Sequence, residues 1–296
     1  MKSQPARFLV LHNPTSGSED GSQRLVEALT RHNIPYKLVE VFTPPEAKKI
    51  LSILKPSQYK AIAVSAGDGT VIAAVKSVYD KNIPVLILPG GSANLLAKAL
   101  NLPTDLEDCV ALLSGNKHEV IQLPLADIGN DKLLLDVHFG FWSRAIKRTS
   151  QASKQRIGQA AYGIAAVKQL LRAKKRTYTF TVDGQTFSFR AHALYVANQG
   201  EQQFAGVPLF LKRSPDLLYV AAIRTINPVA ILYWMLMRNL NREAPRVIQT
   251  LYGKDIRLIE VPKSGLFDDD SYEPELPLNI RVSQDKVSLI QAKLES

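Results

Sequence analysis

Cysteine is almost absent from this sequence: Cys109 is the single one among 296 residues. One cysteine cannot form a disulfide within the chain, which excludes the disulfide-rich secreted class and fits a reducing compartment. The residues around Cys109 are apolar, so we expect its thiol to be packed in the core. Long apolar runs are missing too, because the longest, residues 228–237, is shorter than the roughly 20 residues of a membrane span. No secretory signal is visible, and we expect a cytoplasmic protein that rests peripherally on the inner membrane face.

Acidic residues are absent between Asp136 and Asp183. The same segment carries ten basic residues: Arg144, Lys147, Arg148, Lys154, Arg156, Lys168, Arg172, Lys174, Lys175 and Arg176. This excess equals the formal net charge of the whole chain, which is +10 from 37 basic and 27 acidic residues. Anionic lipid head groups attract such clusters, and attraction to a membrane is the interpretation we favour. A solvated helix face is the alternative, and nucleic acid is not expected because no recognition module is present.

Several common catalytic signatures are also missing. The chain has no Walker lysine pattern, no dinucleotide-binding fingerprint, no nucleophile elbow and no zinc-type cysteine cluster. None of the histidines is spaced as a metal ligand, so we predict structural or surface roles for His12, His32, His118, His138 and His192. The sequence therefore does not match the motifs by which the most familiar nucleotide-binding proteins and hydrolases are recognised.

Two glycine turns carry most of the information that is present. Residues 65–70 read Ser-Ala-Gly-Asp-Gly-Thr, and residues 89–94 read Pro-Gly-Gly-Ser-Ala-Asn. Each follows an apolar run that predicts a buried strand, and each precedes a predicted helix. Glycines allow close approach of a ligand, and a helix start offers unpaired N–H groups and a positive dipole end, which suits phosphate. We expect Asp68 to hold Mg²⁺ or water beside the phosphates and Thr70 to cap the helix with its hydroxyl.

Strands and helices alternate in the first part of the chain, which predicts βαβ units and a mostly parallel sheet. Ligands of such sheets bind at the carboxyl ends of the strands, where both glycine turns fall. We therefore predict that residues 1–121 form a nucleotide-binding α/β domain. The C-terminal tail, about residues 283–296, is a candidate to return to that domain.

Beyond residue 121 predicted strands dominate, and residues 122–282 are expected to form a second, β-rich domain. The predicted strands include residues 132–137, 278–282 and 287–291. A tight hairpin turn is predicted at Val182-Asp183-Gly184-Gln185. Two helices interrupt the strands, at about residues 157–172 and 228–240. The second of these helices is apolar and is followed by arginines, so it would either lie in a membrane interface or pack on the β-rich domain.

Together with Asn13-Pro14-x-x-Gly17, the two glycine turns resemble the diacylglycerol kinase catalytic-domain family. That family includes bacterial lipid kinases, sphingosine kinases and ceramide kinases. The resemblance extends along nearly the whole chain through Thr43, the Gly-x-x-Ala-Tyr pattern within residues 154–162, and Asn198 with Pro208 and Asp216 downstream.

The resemblance implies a first domain like that of NAD kinase and phosphofructokinase, and a second domain that is an antiparallel β-sandwich. It also implies ATP- and Mg²⁺-dependent transfer of the γ-phosphoryl group to a lipid hydroxyl. The nucleotide-binding residues would be Asn13, Thr43, Gly67, Asp68, Gly69, Thr70, Gly91, Ser92 and Asn94. Asn94 would order the second turn. Metal would be held at Asp68, and a structural Mg²⁺ site would use Asp216 with the carbonyls of Arg213 and Leu218.

The catalytic carboxylate of the family lies in an Asp-Gly-Glu motif, where this chain has Asp268-Asp269-Asp270-Ser271. One alignment, counted back from Pro277, places Asp269 at the position of the catalytic aspartate. A shift of one residue puts Asp270 in place of the glutamate. A third reading makes the run a solvated acidic loop, with little or no activity. The candidate catalytic residues are therefore Asp269 and Asp270.

The sequence therefore predicts a lipid kinase that meets its substrate, a diacylglycerol or a sphingoid-like lipid, at an anionic membrane surface. One alternative is an NAD kinase-like enzyme with a soluble acceptor, which the second glycine turn and the basic segment disfavour. The other is a non-catalytic nucleotide- or lipid-binding protein. A homodimer stays an open alternative.

Overall fold

The structure is a computed structural model, and it describes residues 7–17, 20–91, 94, 96–97, 100, 102–114, 118–140, 173–198, 203–204, 207–211, 214, 216–268 and 270–293. The chain divides into two compact units. The first comprises Met1–Pro124 with Gln284–Ser296, and the second comprises Leu125–Ser283. The predicted helix at residues 157–172 and the pattern within residues 154–162 lie outside the described residues.

The first unit is an α/β unit in which strands and helices alternate. Its elements are β1 (Arg7–His12), α1 (Gly21–Arg31), β2 (Tyr36–Glu40), α2 (Pro44–Ser52), a 3₁₀ turn (Pro56–Gln58), β3 (Tyr59–Ala66), α3 (Asp68–Lys76), β4 (Val85–Pro89) and α4 (Leu106–Ala111). The strands pair in parallel in the order β2-β1-β3-β4. The predicted parallel sheet is therefore confirmed.

Both faces of this sheet are covered by helices, which explains why β1, β3 and β4 are continuous apolar runs. Helix α2 contacts α3, and α1 contacts α4. Because crossovers between parallel strands are right-handed, the strand order places α1 on the face opposite to α2 and α3. Helix α1 buries Leu25, Ala28 and Leu29, which share one face at helical spacing.

The second unit is mainly antiparallel. The elements in this part of the chain are β5 (His118–Ile128), β6 (Asp131–Leu133), β7 (Asp136–Gly140), β8 (Arg176–Val182), β9 (Gln185–Ala191), β10 (Ala193–Ala197), β11 (Gln203–Phe204), β12 (Val207–Pro208), β13 (Leu218–Ile223), α5 (Pro228–Asn239), β14 (Ile248–Gly253), β15 (Asp255–Glu260), β16 (Gly265–Phe267), β17 (Asp270–Tyr272) and β18 (Leu278–Ala292). One sheet runs β18-β15-β8-β9, and the other runs β14-β13-β10-β7-β16-β17.

The core of this unit lies between the two sheets. It contains Phe180 and Ile256 from the first sheet with Val137, Leu194 and Val220 from the second. Apolar residues that alternate along each strand meet in this layer, as in a β-sandwich. The predicted fold class, a mostly parallel α/β unit and an antiparallel β unit, is confirmed.

Local predictions for the second unit hold at the hairpin and fail at two strands. Asp183 and Gly184 have φ of +48° and +83°, the left-handed turn that the sequence predicts between β8 and β9. The predicted strand at residues 132–137 is instead two strands, β6 and β7. The backbone N–H groups of Leu134 and Leu135 donate to the carboxylate of Asp268, which breaks the strand there.

The two strands predicted at residues 278–282 and 287–291 are one strand, β18. Its polar middle resembles a turn in sequence, but β18 pairs with β5 as well as with β15 and β4, and side chains from neighbouring strands bond to it. Ser283 Oγ accepts a hydrogen bond from Lys132 Nζ at 3.2 Å, and Ser288 Oγ accepts one from Gln122 Nε2 at 2.9 Å. The last part of β18 pairs in parallel with β4, through Leu289 and Val85, and so completes the sheet of the first unit.

Helix α5 appears where the sequence predicts it. Within the described part of the chain, no helix combines the length and the apolar character needed to cross a bilayer.

Candidate nucleotide site and acidic turn

Three turns meet at the carboxyl ends of β1, β3 and β4. The strand register pairs His12 with Ser65 and Ala66 with Pro89, so the turns that follow begin at the same edge of the sheet. Gly17, in the first turn, has φ of +84°, and a Cβ there would lie 3.2 Å from the carbonyl oxygen of Gly90. The first turn therefore packs against the third, backbone to backbone.

Gly90 and Gly91 lie against the backbone of the turn that follows β3. A Cβ on Gly90 would lie 2.6 Å from the backbone nitrogen of Ala66, a distance that real contacts do not show. A Cβ on Gly91 would lie 3.1 Å from the Cα of Gly67. The glycines thus let two phosphate-type turns approach each other closely, which residues with side chains could not do.

Asn13 ties the first turn together. Its backbone N–H donates to Ser65 O at 2.8 Å, and its Oδ1 accepts from the N–H and the hydroxyl of Thr15 at 2.9 and 2.8 Å. Its Nδ2 donates to Phe42 O at 3.4 Å. Asn13 is buried, and both polar atoms of its side chain order the loop. Contact between this side chain and a nucleotide remains a prediction.

Thr43 begins α2 as its N-cap. Its hydroxyl accepts from the N–H of Glu46 at 3.4 Å, while Glu46 accepts from the N–H of Phe42 at 2.8 Å. This reciprocal pair resembles a capping box and fixes the start of the helix. Thr43 is exposed.

Helix α3 begins at the second turn, with Gly67 as its N-cap and Asp68 as its first residue. Thr70 therefore does not cap the helix, contrary to the prediction: it is the third helical residue and is buried. Gly67, the N-cap, has no side chain with which to cap this helix start, and N–H groups at the positive end of a helix suit an anionic acceptor. The carboxylate of Asp68 is favourably placed at the positive end.

Asn94 orders the turn after β4. Its Oδ1 accepts from the N–H of Gly91 at 3.0 Å, and its Nδ2 donates to Gly91 O at 2.9 Å. Its own backbone N–H donates to Asp68 Oδ2 at 3.1 Å. Asn94 has φ of +49°, a conformation that asparagine tolerates better than most residues. Ser92 lies outside the described residues.

A cavity of about 260 Å³ opens beside these turns. Its lining includes Gly17, Gly90, Gly91 and Asn94, together with His12, Ser65 and Pro89. It also includes six residues that the sequence motifs did not indicate: Ser16, Gly21, Arg24, Thr104, Asp105 and Leu106. Arg24 and Asp105 place it on the side of α1 and α4. Thr43 and Thr70 do not line it, because they belong to α2 and α3 on the opposite face.

His12 lines this cavity, although its sequence context predicted only a structural or surface role. Its Nε2 lies 2.7 Å from Ser22 Oγ at the start of α1, and its Nδ1 lies 3.3 Å from Ser65 Oγ at the end of β3. Burial lowers the pKa of His12 below its usual value. The available signal was position, since His12 directly precedes Asn13-Pro14.

The acidic run forms the turn between β16 and β17 in the second unit. Asp268 has φ of +46° and is buried, and its carboxylate accepts from Leu134 N–H at 3.2 Å and Leu135 N–H at 2.8 Å. Its backbone N–H donates to Asp136 O at 2.9 Å. Asp268 is thus an anchor of the turn.

Of the two candidate catalytic residues, Asp270 begins β17 and is exposed, whereas Asp269 lies outside the described residues. A buried polar set stands beside the anchor. The carboxylate of Asp136 accepts from Tyr195 Oη at 2.6 Å and from His138 Nδ1 at 2.9 Å. This set stiffens the strand on which the acidic turn is anchored.

The predicted metal site of the second unit stays a prediction. Asp216 is exposed, Leu218 begins β13, and Arg213 lies outside the described residues. In the part of the chain that the structure describes, no cluster of three or more His, Cys, Asp or Glu side chains could hold a metal ion. In the first unit, Asp68 offers the oxygen ligands that Mg²⁺ prefers.

Residues 7–124 match the family model for the diacylglycerol kinase catalytic domain. Over these residues, less than half of the chain, the sequence is similar to the diacylglycerol kinase catalytic-domain family. The resemblance predicted from the glycine turns is thereby confirmed, and the matched segment ends where the first unit gives way to the second.

Two relatives match the chain beyond this segment. A Synechocystis protein named as uncharacterized is 22% identical over 295 residues, which cover 92% of this chain and 67% of that protein. A Staphylococcus aureus (strain MSSA476) protein with the provisional name lipid kinase is 26% identical over 235 residues, which cover 77% of this chain and 75% of that protein.

A crystal structure from Bacillus anthracis str. Sterne, provisionally titled a diacylglycerol kinase, has the same fold. Its TM-score is 0.73 at 18% sequence identity, and the match covers 98% of this chain and 97% of that chain. At this identity the likeness establishes the fold alone.

Proposed function

We propose that the protein is an ATP- and Mg²⁺-dependent lipid kinase that transfers a γ-phosphoryl group to a lipid hydroxyl. The observation that carries the proposal is the meeting of three turns, after β1, β3 and β4, around the start of α3. Two of these turns are packed so closely that Gly90 admits no side chain. The similarity of residues 7–124 to the diacylglycerol kinase catalytic domain supports the same reaction class.

The groups of this site fit a nucleotide with a divalent cation. The start of α3 has no side-chain cap, so its N–H groups suit phosphate oxygens. Asp68 would hold the metal ion, and Asn94 keeps the neighbouring turn in shape through its bonds to Gly91. Bound ATP with Mg²⁺ would supply the phosphoryl group and neutralise its charge. Positioning and electrostatics of this kind are the main contributions that a protein makes to phosphoryl transfer.

The acceptor side of the reaction needs a carboxylate that can take a proton. The lipid hydroxyl would lose its proton to this carboxylate, its oxygen would bond to the γ-phosphorus, and ADP would leave. Asp269 and Asp270 are the candidates, because Asp268 already accepts two backbone hydrogen bonds in a buried position. Asp270 is exposed at the start of β17 and therefore accessible to solvent.

A lipid acceptor at an anionic membrane surface is part of this proposal. The basic segment that lacks acidic residues supports it, and the described members Lys174, Lys175 and Arg176 are exposed. The provisional name of the Staphylococcus aureus relative points to the same acceptor class.

The test is to incubate the purified full chain with γ-labelled ATP, Mg²⁺ and micelles that contain diacylglycerol or a sphingoid base. We expect label in a lipid phosphate, and we expect the Asp68→Asn variant to lose it. The matched control is Asp80→Asn, which removes a carboxylate from an exposed turn of the same unit.

Label in a soluble nucleotide product would instead indicate an NAD kinase-like reaction. Nucleotide binding without transfer to any acceptor would make the protein a binding protein and overturn the proposal.

A further inference from the structure

One face of helix α5 is buried, and the opposite face is exposed. On one face Trp234 is fully buried, and Ala230, Ile231 and Met235 pack with it against the core under β10 and β13. The other face, which we name the outer face, consists of five large apolar side chains that are 75, 66, 52, 56 and 55% exposed: Val229, Leu232, Tyr233, Leu236 and Leu240.

The outer face is a continuous stripe rather than a scatter. The other four side chains lie three, four, seven and eleven residues after Val229, which is the spacing of one side of an α-helix. A surface helix normally carries polar side chains there. Half of the large apolar side chains exposed in the described chain lie on this helix or at its C-cap, Leu240, and such a patch marks an interaction site.

The charges around the stripe are positive. Helix α5 contains no acidic residue, and the exposed Arg242 and Arg246 follow its end. The first carboxylate after the helix along the chain, Glu243, accepts from Arg238 Nη1 at 3.2 Å and from Thr250 Oγ1 at 2.8 Å. An occupant of the outer face must therefore accept apolar side chains and carry negative charge close to them.

We propose that the outer face of α5 is the membrane-docking surface of the protein, and that it lies flat in the head-group region of an anionic bilayer. Leucine and tyrosine side chains of an interfacial helix reach the boundary between head groups and acyl chains, and flanking arginines meet lipid phosphates. The inference rests on the proposed function in one respect: a lipid acceptor reaches the protein from such a surface. Docking itself needs no catalysis.

The experiment measures binding of the full chain to extruded vesicles of phosphatidylcholine, with or without phosphatidylglycerol, by sedimentation. The test variant is Leu232→Ser with Leu236→Ser. The matched control is Ile53→Ser with Ile259→Ser, two aliphatic side chains that are 81 and 44% exposed elsewhere. All four side chains are exposed, so thermal unfolding should stay close to that of the wild type for both proteins.

We expect the test variant to bind anionic vesicles at least about 10-fold more weakly, since each leucine loses apolar burial in the bilayer. The control should bind like the wild type. A second variant, Arg242→Gln with Arg246→Gln, should lose about 5-fold per arginine on anionic vesicles and little on neutral ones. High salt should reproduce the arginine effect and leave the leucine effect in place.

Equal vesicle binding by wild type and test variant would overturn the inference. So would a wild-type dimer that becomes monomeric in the test variant without any vesicle binding, because a second copy would then cover the outer face. Phosphorylation of a short-chain acceptor dissolved without vesicles separates this inference from the proposed function. If the protein binds vesicles through α5 but phosphorylates no acceptor, the proposed kinase activity is refuted and the docking surface stands. If it phosphorylates the acceptor but binds vesicles equally well without the α5 leucines, the docking surface is refuted and the kinase activity stands.

Discussion

The carboxylate of Asp68 accepts a hydrogen bond from the backbone N–H of Asn94 at 3.1 Å. This bond joins the turn after β3 to the turn after β4, so the carboxylate proposed to hold metal also fixes the geometry of its neighbour. Asn94 closes its own turn on Gly91 with both polar atoms of its side chain. A substitution that tests the role of Asp68 in metal binding must therefore remove its negative charge but keep its hydrogen bond with Asn94.

Asp68→Asn achieves that separation. The asparagine oxygen can still accept the N–H of Asn94, so the turns should keep their shape while the negative charge is lost. We expect phosphoryl transfer to fall at least about 100-fold, with unfolding by urea unchanged within error. The assignment of Asp68 would fail if this variant kept most of the wild-type activity while Asp80→Asn behaved in the same way.

The glycine turns could be predicted from sequence because their requirements are local. A glycine run between an apolar strand and a helix specifies close backbone packing, and the structure provides it at Gly17, Gly90 and Gly91. The polar middle of β18 could not be interpreted correctly, because β18 is extended through pairing with strands distant in sequence, with further bonds from Lys132 and Gln122. The same holds for His12, whose partners Ser22 and Ser65 come from other elements.

The acidic run at residues 268–270 is a second case in which the sequence alone does not predict the role of each residue. Three adjacent aspartates look equivalent in sequence, yet Asp268 has a positive φ and hydrogen-bond partners more than 130 residues away. Local patterns cannot assign such roles, because the hydrogen-bond donors come from the break between β6 and β7.

Cys109 is predicted to be unreactive in the folded protein. Its side chain is fully buried, its Sγ lies 3.3 Å from Ile87 O, and burial raises its pKa to about 12. At pH 8 only about one thiol in 10,000 would then be ionised, and the thiolate is the reactive form. We expect iodoacetamide at pH 8 to label Cys109 in urea but not in buffer, as measured by mass spectrometry. Rapid labelling of the native chain would contradict the burial.

Acidification should destabilise the protein partly through His12. Burial lowers the pKa of His12 in the folded state, whereas the unfolded chain has the ordinary value of about 6.5. The unfolded state therefore binds more protons below pH 6.5, and the free energy of unfolding falls as the pH falls through that range. One group contributes at most about 1.4 kcal/mol per pH unit.

His12→Asn should flatten this dependence, as followed by urea unfolding between pH 7 and pH 5. Glu40 opposes the shift, and Arg24 and Asp105 are the other charged groups around the cavity that His12 lines. His192 also has a pKa lowered by burial, so it contributes with the same sign, and His192→Gln should flatten the dependence as well. Identical slopes for wild type and His12→Asn would show that His12 does not titrate across the unfolding transition.

Asp268 is predicted to act on stability rather than on chemistry. Asp268→Ala would leave the buried N–H groups of Leu134 and Leu135 without their acceptor and place alanine at a φ of +46°. We expect the free energy of unfolding to drop by at least about 2 kcal/mol. Asp268→Asn keeps one acceptor oxygen and tolerates the positive φ, so it should lose less stability and retain nearly normal kcat in the folded protein.

The neighbouring aspartates should show the opposite behaviour. Asp269→Asn and Asp270→Asn preserve side-chain size and remove only the charge, so they test proton acceptance with little change in packing. We expect one of them to lower kcat at least about 100-fold, the low end for loss of a general base, while the KM for ATP changes little. Urea unfolding should be close to wild type for Asp270→Asn, since Asp270 is exposed. If both variants kept wild-type kcat, the acidic turn would be a solvated loop. The reaction would then depend on another base, or on positioning and metal at the turns around Asp68.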